Sequence, residues 1–460
     1  MAETHHIQVE EEVTTTTTTE EPNSDPREQT PLLNSDQNHQ RNEQENQEND
    51  LETHLDKTLQ KLYSFLILLG FKQNSILSFW VSWIVFLLIG VFLPLFVLEL
   101  SNCPGCEKGQ IKRFEVDIVA SQACLAAASL ICLSHNLRKY GIRKFLFVDK
   151  HTGHAERFSD LYIQKIHESV RLLVLWVLPC FILKTAREVI RILYVHHESL
   201  WQSAVILLAF VFSSTYVTIV FLSSCILFHL VCNLQILHFD DYGKLLERQT
   251  DALVLIQEHV RLRQYLSKIS HRFRIYLILV FLIVSVSQFV TLFQTTGYRG
   301  IITFINGGDF AVSSIVQVVG VILCLNAAAK ISHRAQNIGS LASQWHALLT
   351  CRSPDTSQIR MSSSVGSFDV ANMSGSLCID YSESDLESLD FIATSTNTQL
   401  VSYSSSYQKR QALVTYLQAN PGGITIYGYT VDRVLINTIF VIELTLVLFV
   451  LGKTIVFSSH

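Results

Sequence analysis

The chain has 460 residues, of which 48% are hydrophobic and only 16% charged. Soluble domains carry about 25% charged residues, so this balance excludes a purely soluble protein. A net charge of −5 without a dense basic tract argues against nucleic acid as a partner, and ten cysteines in so long a chain do not make a disulfide scaffold.

Residues 1–50 hold the run Thr14–Thr19 and then mostly Glu, Gln and Asn. Such a segment has too little apolar surface to offset its ordering entropy, which predicts a disordered cytoplasmic tail. Its opening, "MAETHHIQVEEEV", lacks the apolar core of a cleavable signal peptide, so the first span is expected to act as its own insertion signal. Within the tail, Glu28 stands four positions before Leu32 and Leu33. This spacing resembles the acidic dileucine signals read by adaptor complexes, a short pattern that chance also produces. It points to an endosomal or vacuolar membrane, with the plasma membrane as the alternative.

The remainder, 51–460, reads as a seven-span membrane domain. Residues 51–72 have the pattern of an amphipathic helix at the membrane surface. Seven apolar stretches follow, each near the ~20 residues that cross a hydrocarbon core: 76–100, 114–133, 169–195, 201–234, 275–293, 310–329 and 431–456. The fourth exceeds a bilayer and is expected to project into water. The third is interrupted by Lys184, Arg187, Glu188 and Arg191. Connection 134–168 holds seven Lys and Arg and 235–273 holds six, against three in 101–113 and one in 294–309. Positive residues favour the cytoplasm, which puts the N-terminus inside and the C-terminus outside.

The cytoplasmic connections have patterns of their own. Segment 241–273 reads as a charged helix with Leu253, Ile256, Val260 and Leu266 on one face. This predicts that the fourth and fifth spans continue beyond the membrane and pack together there. Residues 352–407 are a Ser-rich insert expected to be disordered. A short helix over 406–420 is then broken by Pro421-Gly422-Gly423 before the last span.

The C-terminal sequence "YQKRQALVTYLQANPGGITIYGYTVDRVLINTIFVIELTLVLFVLGKTI" resembles the last segment of insect gustatory and odorant receptors, with a cytosolic helix, a Gly-containing break and a final apolar span. The span count and orientation are similar too, and a plant family of unknown function grouped with the gustatory receptor-like proteins looks nearest. The resemblance implies a homotetrameric, ligand-gated cation channel. Four copies of the last span would line the pore, a cytosolic helical anchor would hold the subunits, and an unidentified small molecule would enter an outward pocket. Here the last span reads "LTLVLFVLGKT", without the Thr-Tyr and Gln-Phe pairs of the insect receptors, so gating and selectivity do not carry over.

Three constellations stand out from the residues themselves. In the last span, Asp432, Ile436, Ile439, Phe440, Glu443, Val447 and Val450 recur at steps of three or four, on one helical face. Turned to a pore axis, this face would give an acidic mouth, an acidic ring and a hydrophobic constriction. The alternatives are that Glu443 is neutral or bonded to a neighbouring helix, or that it titrates during transport. In the third span, twelve mostly apolar residues separate Arg171 from Lys184. They make only ~18 Å of helix, so Lys184 and Arg187 fall within the outer half of the bilayer, with Arg191 further along the same stretch. They predict either a polar outward pocket or ion pairs with Glu115 and Asp117. Cys103 and Cys106 of "CPGC" lie in the first outer loop, where a local disulfide is expected.

No Walker loop, nucleophile elbow or HExxH sequence is present, and no enzyme, metal or cofactor is expected. The reading is therefore an all-α polytopic membrane protein with a cytoplasmic helical anchor. A homotetrameric cation channel leads, and a proton-coupled carrier or a non-conducting sensor or scaffold is the alternative.

Overall fold

The computed structural model describes residues 53–458, apart from 74, 101–109, 148–151, 195–199, 249–250, 298–303 and 353–405. Glu28, Leu32, Leu33, Cys103 and Cys106 lie outside the described residues, as does the Ser-rich insert over 353–405.

Helices dominate. Helix α1 covers 53–68. Helix α2 starts at Ile76–Phe86, widens into a π segment over Leu87–Phe92, and continues as Leu93–Leu100. There follow α3 (Gln110–Leu146), α4 (Thr152–Tyr194), α5 (Leu200–Arg248), α6 (Ala252–Gly297), α7 (Phe304–Arg352), α8 (Ser406–Ala419) and α9 (Arg433–Ser458). Among the described residues, six helices are long and apolar enough to span a membrane, which is the make-up of a multi-pass membrane protein. Bare apolar side chains such as Leu77, Leu88, Leu175, Leu208 and Phe289 line their outer faces. In water such a surface would drive association, whereas lipid solvates it.

Helices α4 to α7 have 43 to 49 residues each. At 1.5 Å per residue this is roughly 65–75 Å, about twice a hydrocarbon core. All four therefore outrun the bilayer, as expected for the fourth span. Helix α5 is apolar on all sides over its first two-thirds, the pattern of a helix surrounded by others. It packs on α2, α3, α4, α6 and α7, and its Phe221, Leu222, Cys225, Phe228 and Leu230 are at the centre of the main core. Helix α4 runs on through Pro179.

The surplus length of these helices builds an extension at one end of the bundle, called here the anchor end. At the turn between α5 and α6 the Tyr242 hydroxyl donates to the Leu255 carbonyl at 3.0 Å. Asn136 of α3 donates to the Arg272 carbonyl of α6 at 3.0 Å, and Tyr162 of α4 meets His238 of α5 at 3.1 Å. The buried face of the first half of α6 is Ala252, Leu255, His259, Leu262, Leu266 and Ile269. The predicted face was Leu253, Ile256, Val260 and Leu266, so only Leu266 is shared. Charged residues flank both stripes, and the choice between them falls to the partners, α5 and α8. Helix α1 adds Leu55, Leu59, Leu62 and Leu66 to the same core, so its apolar side is covered by protein.

One departure from all-α is a two-residue-per-strand hairpin, β1 (Thr425–Ile426) with β2 (Tyr429–Thr430). Tyr427 and Gly428 both have positive φ, 48° and 86°. This is the tight I′ geometry that matches strand twist and that glycine makes accessible. The hairpin is pinned in the crevice between α6 and α7. Ile424 N–H donates to Ser332 Oγ at 3.0 Å, and Thr425 N–H donates to Ser270 Oγ at 3.2 Å. Those two serines fix where α9 begins.

Helices α5 and α7 pack tightly at Gly320, where an added Cβ would overlap the Phe221 ring. Phe221 is 2% exposed and packed within the main core. Gly320→Ala is therefore expected to destabilise by about 1–3 kcal/mol through overpacking. Thermal unfolding of the detergent-purified protein checks this, and Gly320→Ala with Phe221→Leu should recover most of the loss.

Candidate functional site

Two polar assemblies lie inside the apolar bundle. The first is at the end opposite the anchor. Lys184, Arg187, Glu188 and Arg191 are spaced so that they share one stripe of α4, and the stripe is buried between α3 and α7. Lys184 Nζ pairs with Asp309 Oδ1 at 2.5 Å and Glu188 Oε1 at 3.1 Å. Arg187 reaches Glu188 at 2.6 Å and Glu115 at 3.1 Å. Arg191 reaches the other Glu115 oxygen at 3.2 Å and lies 5.1 Å from the Phe210 ring centre of α5.

Three cations thus face three carboxylates, and the charges cancel. Isolated charges in a low-dielectric interior cost several kcal/mol each, so only a matched and hydrogen-bonded set is tolerable there. The set joins α3, α4 and α7 and abuts α5. It has no spare charge to offer a ligand, so its chemistry is that of a clamp.

Of the residues expected here, Glu115, Lys184, Arg187 and Arg191 come together as ion pairs, and Asp117 does not join them. Two positions beyond Glu115, it points to another side of α3 and accepts a hydrogen bond from Gln294 of α6. Sequence reasoning missed two partners. Glu188 was visible as an interruption in the third span but was not assigned a role. Asp309 stood just outside the sixth apolar run, and the signal for it was its place at the same end of a span as the unpaired cations.

The second assembly lies along α6. Glu443 of α9 is 5% exposed, and its Oε1 accepts a hydrogen bond from Ser285 Oγ of α6 at 3.0 Å. Its Oε2 is buried without a hydrogen-bond partner. One turn along α6, Gln288 donates to Ser314 and Gln317 of α7 at 3.3 and 3.4 Å, and Gln317 donates to Ser121 of α3 at 3.3 Å. Ser285, Gln288, Ser314 and Gln317 are further site residues that the sequence reading passed over. Their signal was polar side chains inside the fifth and sixth apolar runs.

The stripe expected to face a pore axis turns toward the rest of its own chain. Ile436 and Ile439 pack on the main core, Val447 is buried and Phe440 is half-buried. Asp432 caps the helix, accepting from Leu435 N–H at 2.9 Å; the Val450 side chain lies outside the described set. Helical periodicity gives the members of the stripe, and its direction follows from cost. A carboxylate turned to lipid has no partner, whereas Ser285 supplies one. The opposite face of α9 is bare, with Val434, Asn437, Val441, Thr445 and Leu448 exposed. Thr438 and Thr445 return their hydroxyls to the Val434 and Val441 carbonyls.

Removing one member of the balanced cluster strands a buried charge. Asp309→Asn is expected to destabilise by about 3–5 kcal/mol. The double variant Asp309→Asn with Lys184→Met should lie well above the sum of the single changes. A double-mutant cycle read by thermal unfolding in detergent measures the difference.

Among curated proteins, none matches the chain. A family model described as "Protein of unknown function (DUF3537)" matches residues 57–442, from α1 through α8 into α9, and the chain belongs to that family.

Proposed function

We propose that the chain is the subunit of a homotetrameric, ligand-gated cation channel. It would have seven spans, the anchor end and N-terminus in the cytoplasm, and α9 against the central axis. The observation that carries this reading is the one-sidedness of α9. Among the described residues it packs chiefly on α6 and α7 and leaves a face with Asn437 and Thr445 among apolar residues uncovered. Polar side chains on an otherwise apolar span favour contact with water or another subunit over lipid. In this arrangement Asn437, Val441, Thr445 and Leu448 take the lining role. Glu443 stands behind them as the brace that holds α9 to α6. Permeant cations and a small-molecule ligand are the implied partners, in the plasma membrane or an endosomal or vacuolar membrane.

A second reading rests on the unpaired Glu443 Oε2. A carboxylate with one free oxygen at a helix interface is also what a proton-coupled carrier uses. Proton-driven uptake without unitary currents would favour it.

The deciding measurement is the particle mass in nanodiscs together with single-channel recording. A mass of four chains and unitary cation currents are expected. In that channel Asn437→Asp should change cation selectivity. Glu443→Gln should change open probability and leave selectivity unaltered. Monomers without conductance would overturn the channel reading, and selectivity that follows Glu443 would overturn the assignment of faces.

A further inference from the structure

A pocket of about 390 Å³ opens at the anchor end of α2, lined by Gln73, Ser75, Ile76, Phe79, Trp80 and Arg138. Its two walls differ in chemistry. Ile76, Phe79 and Trp80 belong to the first turns of the first span, and Ile76 and Trp80 are 79% and 59% exposed. Opposite them stands Arg138 of α3, exposed and without an ion pair or hydrogen bond among the described residues. Neighbouring basic residues are engaged. Lys72 lies over the Tyr63 ring, and Lys139 and Arg272 lie over the Tyr140 ring. Gln73 closes the floor, 6% exposed, its amide donating to the Gly70 carbonyl at 3.5 Å.

The position of the pocket along the chain sets its depth. Ile76 begins the apolar run of the first span, and Arg138 follows the last apolar residues of the second. Both therefore sit at the level where headgroups meet hydrocarbon, the level at which Trp is favoured. A free guanidinium beside an aromatic and aliphatic wall at that depth matches a phosphate carried on an acyl chain. Basic pockets between spans on the cytoplasmic side bind anionic headgroups, and the volume falls in the ~300–1,000 Å³ range of small-ligand sites.

We infer that this pocket binds an anionic glycerophospholipid, with its phosphate on Arg138 and one acyl chain along Ile76, Phe79 and Trp80. The inference rests on the orientation proposed above only for the choice of leaflet. Bound there, the lipid joins the start of α2 to α3.

The test is native mass spectrometry of the full chain from nanodiscs containing equal amounts of dioleoyl phosphatidic acid and dioleoyl phosphatidylcholine. Phosphatidic acid should be retained over phosphatidylcholine. Arg138→Gln should cut that retention by about fivefold, the effect of one basic side chain at an anionic surface, while Arg138→Lys should keep most of it. Trp80→Ala should lower retention of both lipids. Glycerol 3-phosphate, which has the headgroup chemistry without the chains, should not displace the bound lipid. The site is overturned if both lipids are retained equally, if Arg138→Gln has no effect, if glycerol 3-phosphate competes, or if the wild-type chain retains no lipid because another segment fills the pocket. The same spectra report the number of chains, so failure of the tetramer is read separately from failure of the lipid site. Thermal unfolding of each variant confirms that this exposed substitution leaves the fold intact.

Discussion

A charge carried into an apolar bundle is costly unless it meets a partner inside the protein, and this constraint organises the molecule. Lipid offers no hydrogen bonds, so an unmatched charge costs several kcal/mol. The stripe from Lys184 to Arg191 can exist only where Glu115 and Asp309 meet it. That meeting sets how α3, α4 and α7 are rotated about their axes. The Glu443–Ser285 contact does the same for α9 against α6. Apolar packing alone would leave these rotations loosely determined, because leucine faces are interchangeable in lipid.

The anchor end works by another rule. Here the helices have left the hydrocarbon, and water can solvate exposed polar groups. Long-range contacts here include neutral pairs such as Asn136 to the Arg272 carbonyl and Gln418 to Ser343 at 2.9 Å, and exposed charged ones such as Arg263 to Asn420 at 2.7 Å and Arg334 to Asp240 at 3.5 Å. Helix α8 is the piece that couples the two regions. Its buried Leu413 and Leu417 seat it on α6 and α7, and the hairpin carries that placement directly into α9. Any movement of α8 therefore reaches the base of the last helix through the thirteen residues 420–432, two of which are held by serine hydroxyls.

The legible part of the fold was its apolar runs. Six of the long stretches read from composition are helices able to span a membrane, and the excess length of the fourth was visible from residue count. The cations of the third span were legible as a problem, since Lys184, Arg187 and Arg191 could not stand alone. One of their partners, Glu115, lay at the right end of the neighbouring run. Asp309 was not legible, because linear order does not say which span ends touch. The direction of the Glu443 stripe was hidden for a related reason. Periodicity of 3.6 identifies residues that share a face, but every face of an apolar helix looks equally suited to lipid until a partner such as Ser285 is placed. The hairpin was concealed by its brevity, two residues in each strand beside a Pro-Gly-Gly break.

The π segment in α2 gives the first span two working directions. Over Leu87–Phe92 the helix takes an extra residue per turn, and Ser213 Oγ of α5 donates to the Ile89 carbonyl at 2.7 Å where the ladder opens. The widened turn resets the angular phase of everything after it. Beyond it Val97 and Leu98 gather with Ile206 and Phe210 of α5 in a small core of their own, while before it Phe79 and Trp80 address a different neighbour. A straight helix of this length would have to aim both patches the same way. With the offset, one rod serves as a two-sided splint, and Pro94, which has no N–H to give the Gly90 carbonyl, stands just past the widened turn.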